Sequence, residues 1–299
     1  MAECQLIVSN PPHRSPDPNA AAPYFNCTAA EVRMKLNFPA PEVWFAESEE
    51  DAAREKATAL VRAGIDVAWI PGSVLAQVPP AVTVTAVAFD GHIMNLITAA
   101  GPLEVGPGDR MVAVFGEPQR QEARLSSERR SVLTQHVPGV GPVRSMPFAS
   151  GIVGAAGIAG YAAANKLDKV GQEARDAAAK RVSDSRVAEP GSQFVDLYTY
   201  TADGWKAARI TQTDVDFSGL GAVKQPTARA NIRAILELLR EDFTARVDER
   251  LNHVTYRSSV VGGVALHQVL RSISAHLADL PPMDLGSRLA FLTTKGRKS

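Results

Sequence analysis

The chain has 299 residues, with 45% hydrophobic and 21% charged side chains, a length and balance suited to about two globular domains. Thirty-two basic residues cancel thirty-two acidic ones, so no global field draws the chain to nucleic acid or an anionic surface. Two cysteines, Cys4 and Cys27, exclude a disulfide framework and a cysteine-rich zinc site, and favour a reducing cytoplasm.

In chain order, "CQLIVSN" predicts a first strand; its short apolar run and the lack of a basic flank do not make a secretory signal. "PPHRSPDPNAAAP" predicts a loop through its prolines. Thr28 followed by Glu31 predicts a capping box opening the helix "CTAAEVRMKLN". "EVWFAES" predicts a short strand. Ser48 with Asp51 predicts a second capped helix, with Ala53, Ala57, Leu60 and Val61 on one face. Gly64 is placed to end that helix in the left-handed region, and "IDVAWIPG" predicts the next strand.

Residues 28–70 resemble the C-terminal domain of the ribosomal stalk protein. The likeness lies in a helix, an "AP" break, a Ser-capped acidic helix ending in "AG" and a closing strand. The bacterial protease-adaptor fold is built similarly. The resemblance covers roughly a seventh of the chain and implies a compact α/β module that meets other proteins. Arg33, Lys35, Arg54, Lys56 and Arg62 only partly match the charged helix faces of that family.

From residue 80, "AVTVTAVAF", "HIMNLIT" and "RMVAVFGE" alternate and are split by "DG" and "GPLEVGPGD", which predicts antiparallel strands. Residues 117–190 read as a connector: a charged run with Arg129 and Arg130, a Pro/Gly-rich run with Arg144, a Gly/Ala-rich stretch, then a polar helix. "QFVDLYTYT" and "WKAARITQT" predict strands around "ADG". "TARANIRAILELLREDF" predicts a helix burying Ile232, Ile235, Leu236, Leu239 and Phe243. "HVTYRSSVV" is a further strand, and "GVALHQVLRSISAHLADLPP" one amphipathic helix with Leu266, Val269, Leu270, Ile273, Leu277 and Leu280 together. The basic tail holds Lys295, Arg297 and Lys298.

The expected fold class is therefore α+β. Its expected parts are an α/β module over 1–78, an antiparallel section packed with it over 79–116, a connector over 117–190 and a C-terminal α+β domain over 191–299.

"SGIVGAAGIAGYAAANKLDKV" admits three readings. Residues 145–165 are uncharged and long enough for a membrane helix, but Gly and Ala dominate where insertion needs larger apolar residues. Gly151, Gly154, Gly157 and Gly160 recur every three residues without the Gly-Lys-Ser/Thr of a phosphate loop. A contact element remains, as a helix or an extended loop, in which these glycines and Tyr161 lie against another surface. An ordinary connector is the plain alternative.

Motifs for chemistry are sparse. His267 and His276, nine positions apart, face opposite sides of one helix. Asp214 and Asp216 form a DxD that suits a turn better than a metal site. Cys27 lacks a neighbouring base.

The sequence reading is thus a non-catalytic accessory or scaffold subunit of a larger assembly. Other protein subunits are the expected partners, with no cofactor, metal, nucleic acid or small-molecule substrate. Arg129, Arg130, Arg144 and the tail are expected to touch the inner face of the cytoplasmic membrane peripherally. "FVDLYTYT", "DFSGLG" and "NIRAILELL" resemble stretches of uncharacterised bacterial proteins. A general likeness, carried by no motif, to extrinsic subunits of the photosynthetic reaction-centre and antenna complex implies such a host. The alternative is an enzyme or small-ligand binder with a pocket near the C-terminal α+β region.

Overall fold

The strand "QLIVS" has every residue buried, which requires cover on both faces. In the computed structural model, which describes residues 3–117, 192–252, 260–261 and 264–296, this strand is β1 (Gln5–Ser9). It lies between β2 (Val43–Glu47) and β3 (Val67–Pro71), antiparallel to both. β2 and β3 therefore run parallel, and α3 (Glu50–Arg62) is the crossover of a split β-α-β unit. Between β1 and β2 come α1 (Pro18–Phe25) and α2 (Ala29–Leu36).

The Thr28 capping box forms: Thr28 Oγ1 accepts from Glu31 N at 3.3 Å, and Glu31 accepts from Thr28 N at 2.8 Å. Three local expectations are corrected. Part of the proline-rich loop is helical, because Asp17 caps α1 by accepting from Asn19 N and Ala20 N, and Pro18 takes the first helical turn, where its missing N–H costs nothing. α3 is capped from Glu49 without a side-chain bond, so Ser48 lies outside it. Val61 is 51% exposed, off the face that buries Ala53 and Leu60.

Gly64 does end α3, at φ +77°. Gly64 N donates to Val61 O and Ile65 N to Leu60 O, both at 3.0 Å. This is the Schellman pattern, sealed by the buried pair Leu60 and Ile65.

The second sheet joins both ends of the described chain. It comprises β4 (Val82–Phe89), β5 (Met94–Thr98), β6 (Gly101–Val105), β7 (Met111–Glu117), β8 (Phe194–Thr201), β9 (Gly204–Thr211), β10 (Asp216–Gly219) and β11 (Arg246–Asn252). Its order is β11-β7-β8-β9-β4-β5-β6, with β10 beside β4. β4–β5–β6 and β7–β8–β9 are antiparallel, but β9–β4, β10–β4 and β11–β7 are parallel, so the sheet is mixed. Strands expected in 79–116 and in 191–299 thus share one sheet.

Alternation along β7 shows the two cores. Met111, Ala113 and Phe115 enter one cluster with α5 (Ala228–Glu241), while Val112 and Val114 enter the other. α5 buries Ile232, Ile235, Leu236 and Leu239 as predicted, and Phe243 follows them into the core. The other cluster lies between the sheet, the N-terminal module, α6 (Leu266–Ile273) and α8 (Pro282–Lys295). The fold is α+β.

The helix expected over 263–282 is broken. α6 stops at Ile273, Ser274 is extended at φ −161° and ψ 136°, and α7 (Ala275–Ala278) restarts. Ser274 keeps both ends bonded: its N–H donates to Leu270 O, and its carbonyl accepts from Leu277 N. The strand candidate 253–261 lies mostly outside the described residues, with Val260–Val261 pairing Val264–Ala265. Lys295 closes α8, with its Nζ 5.0 Å from the Trp205 ring centre, where burial pushes its pKa down.

His13 supplies a pH dependence. Its ring lies 5.6 Å from that of Trp44, and burial pushes its pKa below 6.5 despite the opposing charge of Asp66. Protons therefore prefer the unfolded chain, and stability falls as pH drops below about 6.5 until the folded value is passed. Urea midpoints at pH 7.5 and 5.5 are expected to differ less in His13→Phe than in the parent.

Candidate functional site

A concentration of buried polar groups sits where α8 meets β8 and β9. In the hairpin register Thr201 faces Gly204, so Asp196 faces Arg209. Both side chains lie on the face carrying Phe194 and Tyr198, because strand side chains alternate. α8 meets that face with Asp284, Ser287, Arg288 and Phe291, at the i, i+3, i+4, i+7 spacing of one helical stripe. Phe291 stacks on Tyr198 at 4.2 Å between ring centres and fixes the helix against the strand.

Asp196 is fully buried and accepts from Arg209 Nε and Nη2, both at 2.7 Å, and from Ser287 Oγ at 2.6 Å. Ser287 has one proton and gives it to Asp196, so Tyr198 must be the donor across its 3.0 Å contact with Ser287. Burial, then the charge of Asp196, pushes the Tyr198 phenol far up, keeping it protonated for that role. Arg209 Nη1 donates to Asp284 at 2.6 Å. Burial alone would lower the Arg209 pKa, but the two carboxylates reverse this and hold it charged.

Arg288 is different. It is 3% exposed, and its Nη2 donates to His276 Nε2 at 3.4 Å, which leaves the ring proton on Nδ1. Its Nη1 has no hydrogen-bond partner. Burial pushes its pKa below the usual arginine value, opposed by Tyr198, Asp284 and Asp196. These groups line a cavity of about 260 Å3 whose apolar wall includes Ala81, Leu280 and Pro281.

A second network is satisfied throughout. Arg250 reaches Asp248, Asn10, the Pro11 carbonyl and Thr293, and Thr294 also donates to Asp248. Burial pushes the Asp248 carboxyl up, but the bonds and charge of Arg250 outweigh it and hold it low. A wider groove of about 880 Å3 runs between α6, β2 and α4 (Gly72–Ala76). Its carboxylates are engaged, Glu3 with Ser73 and Glu47 with Lys56, and burial followed by Glu3 pushes the Cys4 thiol up.

Among the residues singled out by sequence, Cys27 is half-buried, with its thiol pushed up by burial and Glu31. Asp216 opens β10 rather than sitting in a turn, and accepts locally from Ser218 N and Oγ, both at 2.8 Å. Asp214 accepts from Thr213 Oγ1. His276 joins Arg288, while His267 is exposed on α6. Among the described residues no group of three His, Cys, Asp or Glu is arranged to hold a metal. Gly151, Gly154, Gly157, Gly160, Tyr161, Arg129, Arg130 and Arg144 lie outside the described residues, as do Arg297 and Lys298.

The sequence reading missed the cluster, although one signal was present: Asp196 and Arg209 are equidistant from the "ADG" turn and had to face each other across the hairpin. Comparisons of the chain with protein-family models, curated proteins and solved structures return no match. Among the described residues no helix is long and apolar enough to cross a membrane.

Proposed function

We propose that the chain is a non-catalytic accessory subunit that docks on a larger, membrane-associated protein assembly and stabilises it, with residues 118–191 making the contact. One observation carries this reading. β7 and β8 are register neighbours, Gly116 opposite Phe194, and such a pair needs a turn of only about two to five residues. The chain instead spends residues 118–193 there. The sheet closes without them, so they answer to something other than its pairing. Insertions of that length on a rigid scaffold are where binding residues concentrate.

The neck is held firmly. Glu117 is 6% exposed and accepts from Arg229 Nη2 at 2.9 Å and from Gln193 Nε2 at 2.8 Å. The Gly/Ala-rich stretch supplies close-approach surface, and Arg129, Arg130 and Arg144 supply contacts to an anionic inner leaflet. The α/β module offers a second protein-binding face. A photosynthetic reaction-centre and antenna complex is the host implied by the likeness noted above, at the cytoplasmic side of the membrane.

The test compares the native chain with a variant in which 118–191 are replaced by a four-residue turn. In a mild detergent extract the parent is expected to migrate with a large assembly. The variant is expected to unfold cooperatively but to migrate alone. A parent that migrates as a free monomer overturns the reading.

A further inference from the structure

We propose that β3 is an edge open to strand addition, and that its occupant is β3 of a second copy of this chain. This stands apart from docking on a larger assembly and concerns a different surface.

The hydrogen-bond register of β3 sets what its outer side offers. Asn10 N donates to Asp66 O at 2.9 Å at one end of the β1–β3 ladder, and Gly72 N to Cys4 O at 2.7 Å at the other. Bonded pairs in an antiparallel ladder recur at every second residue, so Val8 with Ala68 and Leu6 with Ile70 are the bonded pairs between them. The N–H and C=O groups of Val67 and Trp69 therefore point away from β1. Among the described residues β3 pairs with β1 alone, and no other backbone group bonds them. Val67, Ala68 and Trp69 are half-buried, so water still reaches this strand.

Folded proteins blunt the edges they leave unpaired, with proline, charge or a bulge. The other outer strands follow that rule. β6 carries Pro102 and Glu104, β10 opens with Asp216, and β11 carries Arg246 and Glu249. β2 ends in Glu47 and pairs β1 through a register shift. β3 reads Val-Ala-Trp-Ile-Pro: it has no charge, and its proline comes last.

The strand also matches itself. Antiparallel pairing of two copies about Ala68 sets Val67 of each opposite Trp69 of the other. Each such pair exchanges two bonds, which uses every outward N–H, and Pro71, which has none, falls outside them. Val67 and Trp69 lie on one face of the sheet, so they meet as aromatic–β-branched cross-strand pairs. Trp69 is fixed in advance: its Nε1 donates to Gln5 Oε1 at 2.8 Å, and Arg54 lies 5.4 Å from its ring centre. Thirty-two basic and thirty-two acidic residues leave no net charge to hold two copies apart. The two three-stranded sheets become one, in the order β2-β1-β3-β3-β1-β2.

The test is sedimentation of the full chain at about 5 and about 500 µM, with residue-resolved amide exchange at both. A short strand pair makes a small interface, so half-dimerisation is expected at about 10–300 µM. The Val67 and Trp69 amides are expected to be protected at the higher concentration and to exchange freely at the lower. Those of Ala68 and Ile70, bonded to β1, are expected to stay protected at both. Val67→Lys puts a charge on the edge and is expected to weaken the dimer by about tenfold or more. Val67→Thr keeps the backbone and the β-branch and is expected to retain it. Urea midpoints check that both variants fold. A chain still monomeric at the higher concentration overturns the proposal. So does a dimer in which the Val67 and Trp69 amides exchange freely, or one that Val67→Lys leaves intact.

Discussion

Replacing Asp196 by alanine is expected to lower stability by about 3–5 kcal/mol, the cost of breaking a buried ion pair from one side. The loss is large because the carboxylate has no cheap substitute. Arg209 would keep Asp284, but its Nε and Nη2 would lose their acceptor, and the Ser287 proton would have none. Tyr198 would then face a serine free to turn away. Changing both partners, as Asp196→Leu with Arg209→Met, is expected to cost less than the two single losses summed, because no buried charge is stranded. Urea midpoints at constant m-value measure both. Equal additive losses would show that the pair is uncoupled.

Gly64→Ala is expected to cost about 2–5 kcal/mol. Roughly 1–2 kcal/mol comes from holding a residue with a Cβ in the left-handed region. A further 1–3 kcal/mol comes from overpacking, since the new Cβ would sit 2.0 Å from the Ser15 carbonyl oxygen. That oxygen is backbone and cannot swing aside, so the loop before α1 must move. The loop is tied there by Asp17 N donating to Ala63 O at 2.8 Å. Gly91 gives the comparison, with φ +98° and nothing within 4 Å of its added carbon. Gly91→Ala is expected to show the backbone cost alone. Similar melting temperatures for the two variants would remove the Ser15 contact from the explanation.

What was legible in the sequence followed simple periods. β4, β5, β8 and β9 announce themselves by alternation and turn residues, and α5 by an apolar stripe. Thr28 and Gly64 are legible because capping and left-handed termination act within a few residues. What failed depended on contacts from afar. β11, "RVDERLN", reads as a polar segment because Asp248 and Arg250 look like surface charges. They satisfy each other only once Asn10 and the end of α8 arrive. β6 carries Pro102 and two turn-like glycines nearby, and only its pairing with β5 makes it a strand. α8 hides for the same reason. Its buried residues mix Ser287, Arg288, Thr293 and Thr294 with Leu285, Leu289 and Phe291, so no clean apolar stripe marks its inward face. The candidate site is the sum of these cases: every member is polar, and burial is supplied by a partner far along the chain.

The separation of β7 from β8 also bears on synthesis. A central strand bonded to its neighbour over six residue pairs must wait for the ribosome to emit residues 118–193 before that neighbour exists. At about 5–20 residues per second, the nascent chain holds the unpaired edge of β7 for roughly 4–15 s. Over that interval the α/β module, whose strands are all complete by Pro71, is the part able to fold first.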